Sequence, residues 1–130
     1  MSLPDVVRRL SDALAALDEW AKVEVTETGY INRAYRNIHE AYYMLKSLEK
    51  IGLPEEKKKN IIEKLKDALV KIGKAIQELR QGRTNPANIY VVSGRKDIDM
   101  VTKELVRGHI REARKKLEAV HRLLEEVKRV

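Results

Sequence analysis

The segment 80–96, RQGRTNPANIYVVSGRK, carries four basic side chains, Arg80, Arg83, Arg95 and Lys96, and no acidic one. In a chain with 36% charged residues, such a stretch cannot neutralise itself locally, so it invites an external anion. Lys103, Arg107, Arg111, Arg114 and Lys115 continue the series at helical spacing. Cationic groups ranked along one side of a helix can each neutralise a phosphate and release its counterions, a source of affinity that is independent of sequence. Asn85 and Tyr90 would add a hydrogen-bonding group and a stacking ring. A smaller patch, Arg33 and Arg36 with Asn32 and Asn37, faces away from the apolar residues around it. The competing reading of these positions is a solvated face whose charges pair along the helix, such as Glu104 with Arg107.

Residue sets for other chemistries are sparse. There is no cysteine, which removes disulfides and thiolate metal sites. His39, His109 and His121 fall into no metal-ligand spacing, and Asp97, Asp99 and Glu104 read as acids in the first turns of a helix, where the dipole favours them. No glycine-rich phosphate loop, nucleophilic triad or carboxylate pair is present in the sequence. Arg33 and His39 are spaced in a way that resembles the ribonuclease motif of helical HEPN domains, although the motif lies nearer the C-terminal end in that family. The expectation is therefore no catalytic residue, no metal and no cofactor, with a HEPN-like ribonuclease as the third-ranked function.

Four helical periodicities position these groups. The first runs from about Pro4 to Trp20, opened by a capping box of Ser2 with Asp5, and buries Val6, Leu10, Ala13, Leu14, Leu17 and Trp20. An extended connector or brief strand follows, closed by Thr28 and Gly29. The second helix spans about Tyr30 to Ile51 and stops at Ile51-Gly52-Leu53-Pro54, with Gly52 in the left-handed region. The third runs from Pro54 to Gly82. Asn85-Pro86 and the β-branched run 89–92 then predict an extended connector over 83–96, an elbow before a fourth helix from Asp97 to Val130. In that helix Val106, Ile110, Ala113, Leu117, Val120, Leu124 and Val127 repeat with spacing 4-3-4-3-4-3, a coiled-coil seam and candidate oligomer interface. The expected fold is all-α, one domain over 1–130: a four-helix, mainly antiparallel bundle whose two long C-terminal helices project beyond a compact core.

Charge is distributed unevenly. Residues 1–53 hold seven Lys/Arg against eight Asp/Glu, whereas residues 54–130 hold twenty against twelve, so the whole excess of +7 comes from the second half. Lys, Arg and Glu dominate, as in hyperthermophile proteins. Leu79 to Pro86 and the later Val106-Arg107-Gly108 with Arg111 and Arg114 resemble segments of ribosome recycling factor, which would imply contact of those arginines with ribosomal RNA. The chain as a whole, short, basic, cysteine-free and helical, resembles the coat nucleoproteins of filamentous viruses of hyperthermophilic archaea. That resemblance implies wrapping of double-stranded DNA by multimeric helical subunits, with DNA favoured over RNA, and a virion location. Outside a coat, the composition and the absence of an apolar span predict a cytoplasmic protein. The expected function is structural: electrostatic binding of a nucleic-acid backbone by a homo- or hetero-oligomer. The alternative is a helical interaction module whose basic face meets an acidic protein.

Overall fold

The computed structural model describes residues 2–23, 28–49 and 52–129. Four helices account for nearly all of them: α1 (Leu3–Lys22), α2 (Gly29–Ser47), α3 (Glu55–Arg80) and α4 (Thr84–Lys128). Each helix packs on the next and α4 closes on α1, with α1–α3 and α2–α4 as the diagonals. Cross-helix contacts give antiparallel neighbours. Arg9 meets Glu40, Tyr35 lies beside Gly73, Lys74 covers Tyr90 and Arg95 meets Asp18. The expected all-α antiparallel bundle is what the chain forms.

The apolar stripes read from the sequence build the core. Val6, Leu10, Leu17, Ile31, Ile38, Leu45, Leu65, Ile72, Ile98 and Leu105 are almost fully buried. Helix ends follow local chemistry. The Ser2 backbone N–H and hydroxyl both donate to Asp5, at 2.9 and 2.8 Å, which secures the first turn of α1. The expected connector after α1 falls largely on 24–27, outside the described residues. α2 stops earlier than expected: Leu48 turns extended, and its carbonyl accepts a hydrogen bond from the Lys58 ammonium. Gly52 (φ 74°) takes the left-handed conformation expected of it. Gly82 (φ 74°) ends α3 in a Schellman motif, with Arg83 N–H donating to Glu78 O at 2.9 Å and Gly82 N–H to Leu79 O at 3.0 Å.

The expected extended connector over 83–96 does not exist, and there is no elbow. Helix α4 begins at Thr84 and runs 45 residues, roughly 68 Å at 1.5 Å per residue. Pro86 sits in its first turn, where a missing N–H costs nothing, so it starts the helix instead of breaking the chain. The β-branched run is helical because Ala87, Val91, Gly94, Ile98, Val101, Leu105 and Gly108 form an unbroken 4-3-4-3-4-3 buried row, with Ile89 and Val92 turned to solvent. Asp97 is consequently mid-helix, not in a first turn. It is buried, with Lys71 Nζ at 2.7 Å and Lys64 Nζ at 3.9 Å. Replacing Asp97 with Ala strands Lys71 beside the core, but that lysine is one-third exposed and can turn to water. The expected loss is therefore about 1–2 kcal/mol by urea unfolding, below the range for a fully buried pair.

Only α4 outruns the bundle. α3 stays paired with it from Lys57 beside Glu104 to Lys74 over Tyr90, so the expected projection of the third helix is corrected. Beyond Gly108 no residue of α4 is buried. The last twenty or so residues form a helical arm, sustained by good helix formers and free of proline and glycine.

Candidate nucleic-acid interface

The unbroken α4 places Lys96, Lys103, Arg107, Arg111 and Arg114 along one side of a single helix, about 27 Å from first to last. All five are exposed. They differ in what they already hold. Lys103 pairs with Asp99 at 3.0 Å and Arg107 with Glu104 at 3.0 Å. Lys96, Arg111 and Arg114 form no ion pair among the described residues. Arg111 and Lys115 line a shallow hollow of about 410 Å³ at the root of the arm with Glu49, Glu55 and Glu112, without closing a pair there. Arg114 does not line it.

Apart from Lys96, the candidate residues of 80–96 are separated from this row. Arg80, Arg83 and Asn85 lie at the turn between α3 and α4, at the opposite end of the bundle from the arm. Arg83 is engaged by the Glu78 carboxylate, the acid whose carbonyl its own N–H caps. Arg95 makes a forked contact to Asp18 of α1, at 2.8 and 3.3 Å, which ties α4 to α1. Tyr90 is half-buried against the core with Lys74 over its ring at 5.8 Å, so it is not an open stacking platform. Arg33 and Arg36 are exposed on α2, diagonal to α4, and form a separate patch. Sequence reasoning missed the pairing of Arg95 with Asp18 because the two residues are 77 positions apart. The Glu78–Arg83 pair was closer to hand, since a glycine-ended helix brings residues five apart together.

These pairs make a small contribution to the acid response of the fold, because both are exposed to solvent. The hydrogen bond from Arg95, with the charges of Arg95 and Lys22, holds the Asp18 carboxyl below the usual aspartate range; the bond from Arg83 does the same for Glu78. A carboxyl depressed on folding stabilises the native state above its unfolded value, and that contribution is lost as pH falls through the lowered one. Thermal unfolding in steps downward from about pH 5 is expected to show Arg95→Ala losing slightly less stability than the wild type as the Asp18 carboxyl protonates.

His39 lies between the rings of Tyr35 and Tyr43, Arg33 lies against Tyr30, and the two positions are roughly 120° apart around α2. No group of three His, Asp or Glu among the described residues is placed to hold a metal ion, and no described helix is long and apolar enough to cross a membrane. The chain matches no protein-family model, no curated protein and no solved structure.

Proposed function

We propose that the protein is a structural nucleic-acid-binding subunit that follows a phosphate backbone with the exposed side of α4. The observation that carries this reading is the row of Lys96, Arg111 and Arg114. These are exposed cations that close no ion pair among the described residues, about 27 Å from end to end on one helix, in the half of the chain that holds all the excess positive charge. Such a row suits a long polyanion of regular spacing better than a compact acidic ligand. It reads no bases, so binding would be independent of sequence, as in a coat or architectural complex on double-stranded DNA.

The test is gel retardation of random-sequence duplexes by the purified full chain, followed by size-exclusion chromatography of the complex with and without nuclease. The reading expects retardation regardless of sequence and a large particle that collapses on nuclease treatment. A chain that leaves duplexes unretarded at low salt would overturn it, and an assembly indifferent to nuclease would favour an acidic protein as the partner of this face.

A further inference from the structure

The arm of α4 carries a second seam that is not the continuation of the first. The buried row ends at Gly108; the next positions in its register are Glu112, Lys115, Ala119, Arg122 and Glu126, which are polar except for one alanine. The apolar series instead restarts at Val106 on a face roughly 150° further around the helix and runs through Ile110, Ala113, Leu117, Val120, Leu124 and Val127. The shift rules out burial by the chain's own bundle, and the seam is bare: Leu117 is 68% exposed, Leu124 56% and Val127 70%. An apolar stripe of three heptads on a free-standing helix is a surface built for another helix.

The charges beside the stripe specify which helix. Taking Ile110, Leu117 and Leu124 as a positions, the flanking e positions are Arg107, Arg114, His121 and Lys128, and the g positions are His109, Lys116 and Leu123. Four of these seven are Lys or Arg, two are His and none is acidic. Every acid of the arm lies on the outer positions, where Glu125 approaches His121 at 4.0 Å; Glu104, at the root, holds Arg107 from the outer side. Flanking charges set partner choice in helix pairs. A second copy of this chain would set cation against cation along both edges, in either orientation. We infer that the arm binds an amphipathic helix of a different protein, one with apolar a and d positions and acidic residues at e and g. This inference does not rest on the nucleic-acid reading, although that row flanks the seam, roughly 80° around α4, and shares Arg107 and Arg114 with its edge.

The experiment uses the full chain and three labelled three-heptad peptides of matched length, read by fluorescence anisotropy. The first has leucine at a and d with glutamate at e and g. The second replaces those glutamates with lysine. The third scrambles the first, keeping its charge and losing its periodicity. The glutamate-flanked peptide should bind at least about tenfold more tightly than either of the others, since several flanking pairs worth a few tenths of a kcal/mol each add to that ratio. Leu117→Glu with Leu124→Glu should abolish binding while circular dichroism shows the bundle intact, because neither side chain is in the core. Arg114→Glu with Lys116→Glu and Lys128→Glu should reverse the preference towards the lysine-flanked peptide. Sedimentation should find the free chain monomeric at tens of micromolar (~10 μM scale). Equal binding of the two patterned peptides would overturn the inference. So would a scrambled peptide as good as the patterned one, absence of binding, or a homodimer dissolved by the Leu117→Glu change.

Discussion

Alanine at Lys96, Arg111 and Arg114 together is expected to weaken duplex binding by about tenfold to a few hundredfold at about 0.1 M salt, and to lower the log–log salt slope by roughly 2.7. Alanine at Arg83, Arg95 and Lys103 removes the same three positive charges, yet is expected to leave the slope nearly unchanged. The difference is in what each group must give up. Arg83, Arg95 and Lys103 are held by Glu78, Asp18 and Asp99, and could meet a phosphate only by abandoning a carboxylate. The other three close no ion pair among the described residues, although Arg111 shares its hollow with Glu49, Glu55 and Glu112. Because net charge falls equally in both variants, the comparison separates direct phosphate contact from the overall field of a basic protein. Surface pairs such as Arg95–Asp18 contribute little to stability, so both variants should fold.

Gly52→Ala is expected to destabilise the fold by about 2–4 kcal/mol, lowering the thermal midpoint by roughly 10 °C. Gly82→Ala should cost only about 1 kcal/mol. The two glycines have the same left-handed φ of 74°, so the intrinsic cost of adding a Cβ is alike. Their surroundings differ. A Cβ at Gly52 would stand 2.6 Å from the carbonyl oxygen of Gly108 and 2.5 Å from Glu112 Cγ, whereas a Cβ at Gly82 meets nothing within 4 Å. The glutamate can swing away, but the backbone carbonyl of α4 cannot move without disturbing the helix at the root of the arm. Denaturant or thermal unfolding of the two variants side by side measures the difference. Near-equal losses would mean that the α2–α3 turn does not press on α4.

Much of this architecture is legible in the sequence because local rules and the hydrophobic repeat agree. The stripes of the first three helices, the left-handed conformation at Gly52 and the end of α3 near Gly82 follow from residue type and period, whereas α2 stops at Ser47, short of the expected Ile51. The fourth helix shows where that agreement fails. Asn85-Pro86 and the run 89–92 carry turn and strand signals, and they mask the row of Ala87, Val91, Gly94, Ile98 and Val101 that continues in register. Period outweighed propensity because burying that row along α3 stabilises more than the weak strand preference of Ile89 or Val92, which remain exposed. Asp97 was legible only as an acid near a helix start; its burial beside Lys71 follows from the longer helix. The candidate interface was readable as an excess of cations and not as a set of free ones, since pairing across the bundle depends on which helices meet. The exposed seam was readable in full, since it depends only on spacing, but its solvent exposure needed the geometry of α4 past Gly108.

The salt dependence of binding to a random-sequence duplex tests the proposed role of α4 most directly. With Lys96, Arg111 and Arg114 each displacing counterions, joined by further contacts from the same side of the helix, the logarithm of the association constant should fall with the logarithm of salt concentration at a slope of about −3 or steeper. Duplexes of unrelated sequence should give the same line. A slope near zero, or affinity that varies strongly with sequence at constant salt, would contradict a protein that holds nucleic acid by its phosphate backbone.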